Sequence, residues 1–126
     1  MRIDRFTVKA QEAIADGQAL ARRSNHPNYE PEHLAQALLA QDEGIVVPIL
    51  QKIGADVKLV KQRVEEAMTR LPTISGGAGS SFSQRLLKLF DKAEDEAKAL
   101  KDEFISSEHV LLALTQDKGA AGEALQ

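Results

Sequence analysis

Pro31-Glu32-His33-Leu34-Ala35-Gln36-Ala37-Leu38 and, 76 positions later, Ser107-Glu108-His109-Val110-Leu111-Leu112-Ala113-Leu114 decide how this chain is read. Each stretch has apolar residues at helical spacing behind an acidic residue in the first turn. A carboxylate there is favoured by the helix dipole, by about 0.3–1 kcal/mol at a surface site. Pro31 suits a first helical position, where no hydrogen bond is lost.

The same offset works outward from these stretches. It places Phe6 on Phe82, Ala10 on Leu86, Ala13 on Leu89, Ile14 on Phe90, Gly17 on Ala93 and Ala21 on Ala97. With one residue deleted, Gln41-Asp42-Glu43-Gly44 falls on Gln116-Asp117-Lys118-Gly119. The matches fall at core positions, caps and breakers, which predicts two copies of a four-helix unit. The expected fold is therefore all-α and a single domain over 1–126: repeat 1 about 1–71, a linker about 72–81, and repeat 2 about 82–126. Leu125 falls on Leu50, so the second copy is expected to lack the counterpart of the fourth helix.

Helix boundaries follow from caps and breaks. Thr7 is the expected N-cap of a helix reaching about Ser24, where Ser24-Asn25-His26-Pro27-Asn28 breaks it. A second helix begins at Pro31, with Leu34, Ala37 and Leu38 inward, and Gly44 lies beyond its end. A short third covers about Val46 to Lys52 and stops near Gly54. The fourth has Asp56 as N-cap, a stripe of Leu59, Val60, Val64, Ala67 and Met68, and an end near Arg70. Ile74-Ser75-Gly76-Gly77-Ala78-Gly79-Ser80-Ser81 reads as a flexible linker. Helical spacing resumes at Ser83, with Leu86, Leu89, Phe90, Ala93, Ala97 and Leu100 on one face.

Composition narrows the function. The chain has 126 residues, 43% hydrophobic and 28% charged, which suits one globular domain. Its net charge is −3, with both signs interspersed, which argues against nucleic acid as a partner. Cysteine is absent, excluding disulfides and thiol chemistry. The opening Met1-Arg2-Ile3-Asp4-Arg5 lacks a following apolar run, so no signal peptide is expected. No apolar run approaches the roughly 20 residues of a membrane span, so no membrane partner is expected.

No catalytic set emerges. The Gly-rich stretch lacks the lysine and preceding strand of a phosphate loop, since no lysine follows before Lys88. Glu32-His33 and Glu108-His109 each supply one histidine where a zinc helix needs two, so no metal is expected. No serine sits in a nucleophile turn. Glu65-Glu66 and Glu94-Asp95-Glu96 lie among lysines, as solvated faces do. A small hydrolase would need a clustered set of groups that is not found. An acidic balance likewise argues against a helix-turn-helix reader. A peptide-binding surface is left, with Phe90, Phe104 and Ile105 as bulky groups at one helix junction. Taken singly, each is read first as core.

Met1 to Ile14, Glu32-His33-Leu34 with Ala37-Leu38-Leu39, Leu71-Pro72, and Phe104-Ile105-Ser106-Ser107-Glu108-His109-Val110 resemble the N-terminal repeats of the Clp family of AAA+ ATPases, in the form typical of its ClpB branch. The resemblance covers the whole chain. It implies a cytoplasmic, non-enzymatic domain that captures exposed apolar segments of unfolded or aggregated polypeptide. A hexameric parent chain would bind ATP, thread the client through its pore and work with the Hsp70 system. The isolated domain is expected to be a monomer with no cofactor of its own. An adaptor-docking N-domain of a proteolytic Clp ATPase is the alternative. Family positions in substrate handling map onto Thr7, Asp102 and Glu108, and the family's apolar groove onto Leu89, Phe90 and Ala93. Lys92, Glu96 and His109 depart from apolar residues found in some relatives, which implies a smaller or more polar groove.

Overall fold

Caps and apolar stripes close into helices much as their spacing requires. The computed structural model describes residues 2–74, 81–117, 119 and 122. A 3-10 turn at Ile3–Arg5 leads into α1 (Val8–Arg23). A two-residue strand β1 (Asn28–Tyr29) precedes α2 (Pro31–Ala40), α3 (Val46–Lys52) and α4 (Val57–Thr69). A second short strand, β2 (Ser81–Phe82), precedes α5 (Gln84–Ala99) and α6 (Ser107–Thr115). The fold is all-α, with only this one small strand pair among the described residues.

The expected caps form. Thr7, Asp56 and Ser83 accept hydrogen bonds from the amides of Ala10, Leu59 and Leu86 at 3.2, 3.2 and 3.1 Å. At the C-termini of α1 and α5 the chain turns through left-handed residues, Asn25 (φ 59) and Lys101 (φ 60). The His26 amide then donates to the Ala21 carbonyl at 3.0 Å, and the Asp102 amide to that of Ala97 at 2.8 Å. These six-to-one bonds are Schellman closures of the two helices.

The segments before the helices interlace. Tyr29 lies opposite Phe82 in the parallel β1–β2 pair, and Phe6 forms a parallel bridge with Ile105. The Thr7 amide donates to the Ile105 carbonyl at 2.9 Å, and the Ser83 amide to that of Tyr29 at 3.0 Å. The partners in these two contacts exchange at the offset of 76 seen in the sequence. The chain's N-terminal segment is therefore pinned before α6, and the segment before α5 is pinned before α2.

One apolar cluster joins all of this. Ala10, Ala13, Ile14, Leu34, Leu38, Val64, Leu86, Phe90, Ile105 and Leu114 belong to it. Phe90 meets Phe6 edge-on, with ring centroids 5.5 Å apart. Tyr29 is fully buried, its hydroxyl donating to the Ile14 carbonyl at 2.8 Å. Gly17 makes room for it: a Cβ there would fall on the Tyr29 hydroxyl and within 2.8 Å of Cζ.

The structure corrects several local expectations. Ser81, placed at the end of the linker, pairs with Asn28 as β-structure. The Ile74 amide is held by the Asn25 carbonyl at 2.8 Å, while the rest of the Gly-rich stretch, 75–80, lies outside the described residues. Leu59 and Leu100, assigned to inner faces, are 40% and 57% exposed: Leu59 is turned off the packed row of Val57, Val60, Val64 and Ala67, and Leu100 lies just past the end of α5. No described helix is long and apolar enough to cross a membrane.

Candidate functional site

The two Glu-His pairs serve as caps. His33 Nδ1 accepts from the Glu30 amide at 2.9 Å, and His109 Nδ1 from the Ser106 amide at 2.8 Å. Each imidazole thus closes a capping box from the third helical position. The outer nitrogens differ. His33 Nε2 lies 2.7 Å from His26 Nδ1, whereas His109 Nε2 lies 2.8 Å from Asp102 Oδ2. Burial, with the neighbouring His26, pushes the His33 pKa down to about 4, and burial lowers that of His26.

Glu32 is buried because it has a partner far along the chain. Arg85 donates to Glu32 at 2.8 Å and to Asp117 at 2.7 Å, with Glu30 at 3.7 Å. Burial alone would lower the Arg85 pKa, but the hydrogen bonds it donates to Glu32 and Asp117 outweigh it and raise it. Arg85 thus clamps the start of α5 to the start of α2 and the end of α6.

Among the described residues, clefts border the long helices on three sides. The largest, about 440 Å³, runs between α5 and α6 and is lined by Arg85, Lys88, Leu89, Lys92, Ala113 and Gln116, with Asp117 and Gly119 at one end. A second, about 300 Å³, lies between the N-terminal turn and the other flank of α5, over Phe6, Leu87, Phe90 and Ile105. A third, about 370 Å³, lies between α1 and α2, along Asp16, Leu20, Gln36, Ala37 and Gln41. The rows on α5 separate by helical phase: 85, 88, 89 and 92 face one cleft, and 87, 90, 91 and 94 the other.

The expected site residues do not share one surface. Leu89 forms part of the floor of the α5–α6 cleft, and Phe90 backs the second cleft. Ala93 is fully buried in the core. Thr7 caps α1 against the loop preceding α6, the loop that carries Asp102. Asp102 and Glu108 are exposed beside His109, with one ligand-type atom from each of the three inside 4.8 Å. Both His109 nitrogens are already hydrogen-bonded, so a metal there would have to break a cap. Of the three bulky groups at the helix junction, Phe90 and Ile105 are core and Phe104 is 49% exposed. Lys88, Ala113 and Gln116 were not singled out from sequence. The 85-88-92 row on a helix carried the signal, but only the position of α6 turns that row into a cleft.

Known proteins share this fold. The family model "Clp repeat (R) N-terminal domain" matches residues 5–126. The chain is 42% identical over 126 residues to the Chaperone protein ClpB of Pseudomonas putida, covering 99% of this chain and 15% of that protein. It therefore spans about 15% of the length of that relative. The N-terminal domain of Hsp104 from Candida albicans has the same fold, with a TM-score of 0.83 at 18% identity, over 95% of this chain and 85% of that one. A ClpV N-domain solved in complex with a VipB peptide gives a TM-score of 0.79 at 23% identity, over 90% of this chain and 69% of that one. The family match over residues 5–126, the ClpB relative and the shared fold lead to one assignment: the chain belongs to the Clp repeat N-terminal domain family.

Proposed function

We propose that this domain recruits exposed apolar segments of unfolded or aggregated polypeptide and hands them to the AAA+ ring of a ClpB-type disaggregase. The α5–α6 cleft carries the reading. It sets an apolar floor of Leu89 and Ala113 beside polar walls, as a site for side chains of extended peptide needs. A cleft this small favours weak binding, which suits a recruiter that must release its client. Thr7, Asp102 and Glu108 contribute along the loop at the far end of α5, where Phe104 offers an exposed ring. Likeness to ClpB chaperones supports ATP and a hexamer in the parent chain, Hsp70 as its collaborator, and a cytoplasmic setting. Two copies of one unit, about 1–71 and 82–126 around a linker at 72–81, belong to the same proposal. The matching turns and bridges support them.

A labelled, permanently unfolded protein titrated with the 126-residue chain tests this by fluorescence anisotropy. Binding is expected at high micromolar concentration. Gln116→Trp, which fills the cleft from an exposed position, should weaken it roughly tenfold. Flat anisotropy to millimolar chain would remove the reading. The ClpV N-domain in complex with a VipB peptide favours a second one, docking of a defined segment of an adaptor protein. A preference for one sequence over unfolded chains in general would select it.

A further inference from the structure

Among the described residues, the lining of the α5–α6 cleft holds three cations, Arg85, Lys88 and Lys92, against one carboxylate, Asp117. The other two clefts balance: Arg2 and Arg5 face Asp91 and Glu94, and Asp16 faces Arg23. A basic lining is thus a local exception on a chain of net charge −3. Arg85 is committed to Glu32 and Asp117. Lys88 and Lys92 have no ion pair or side-chain hydrogen bond among the described residues. They stand one turn apart on the same face of α5, beside the floor of Leu89 and Ala113, which are 3% and 1% exposed. At the offset of 76 their counterparts on α1 are Glu12 and Asp16, so the charge on this rim is reversed between the two halves.

We infer that the α5–α6 cleft selects client segments that carry a carboxylate close to an apolar side chain. The apolar group rests on Leu89 and Ala113, and the Asp or Glu beside it faces Lys88 and Lys92. Complementary charge of this kind discriminates among clients more than it adds raw affinity. The inference rests on the reading of this cleft as the polypeptide site.

Three short labelled peptides with one shared Leu-Val-Leu core, flanked by Glu, Ser or Lys, test it against the 126-residue chain by anisotropy. In low salt the Glu-flanked peptide should bind roughly three- to tenfold tighter than the Ser-flanked one, as expected for two exposed ion pairs, and the Lys-flanked one weakest. High salt should close the gap. Lys88→Glu/Lys92→Glu changes two rim residues and should reverse the order, with helicity by circular dichroism unchanged. Three equal affinities in low salt would overturn the inference and leave the polypeptide reading standing. No binding by any peptide would remove both.

Discussion

The α1–α2 half and the α5–α6 half share a frame and differ in what they show to solvent. Both long helices close through a left-handed residue and a six-to-one bond, and both short helices begin with a histidine cap. Around that frame the residues diverge. His26 faces His33 where Asp102 faces His109. Tyr29 over Gly17 stands where the other half has Ile105 and Ala93. Among the described residues, Lys9 reaches the exposed Glu12 at 3.8 Å and the Asp42 carbonyl at 3.1 Å, whereas Arg85 holds two buried carboxylates. Capping and buried positions fix the backbone, so divergence collects in pairings and rims, and the binding surface is to be sought there.

The largest break in the comparison comes from the clamp. Arg85→Met takes the guanidinium away from Glu32 and Asp117, whose side chains are 1% and 6% exposed. Unpairing buried charge costs about 3–5 kcal/mol; with Arg85 itself 38% exposed, about 3–4 kcal/mol is expected from urea unfolding. Lys9→Met in the other half should cost under about 1 kcal/mol.

Acid should separate the halves next. His33 titrates at about 4 when folded, below its unfolded value of 6.5. A lowered histidine pKa means the unfolded chain takes up protons first. Its contribution is therefore complete above pH 6.5 and is lost as pH falls towards 4, about 3 kcal/mol in all. His26→Asp gives His33 the carboxylate partner that His109 already has, and the urea midpoint should then fall less with acid. An unchanged pH profile in that variant would show that the His26–His33 contact does not set the lowered value.

Packing gives a smaller effect. Gly17→Ala forces Tyr29 aside, at about 2 kcal/mol. Combining it with Tyr29→Ile, which recreates the Ala93–Ile105 pair of the other half, should cost less than the two single changes added together. Additive losses in chemical denaturation would deny the coupling. The smallest change should stabilise: Lys101→Gly relieves a left-handed lysine by about 0.5–1 kcal/mol, seen as a raised thermal midpoint.

Much of the fold was legible, because helices advertise themselves through local spacing and caps. Thr7, Asp56 and Ser83 are caps, and Pro31 opens α2, each from its own few residues. The strand pairing of Asn28–Tyr29 with Ser81–Phe82 was not legible, since two-residue strands carry no periodicity and their partners are distant. The helix dipole sufficed to explain Glu32 until the structure placed Arg85, 53 residues away, against it. Leu89, Phe90 and Ala93 lie on one apolar stripe in sequence, yet packing gives them three fates: cleft floor, backing of another cleft, and closed core. Lys92 looked like a loss of apolar groove, whereas beside Lys88 it makes a charged rim.

The central claim is that binding follows the divergent rim and not the shared frame. Amide chemical shifts of the isotope-labelled chain, recorded while the Glu-flanked peptide is added, test it most directly. The account predicts shifts concentrated at Lys88, Leu89, Lys92, Ala113 and Gln116, with Glu12, Asp16, Ala37 and Gln41 still. Shifts of equal size along α1–α2, or only there, would contradict it.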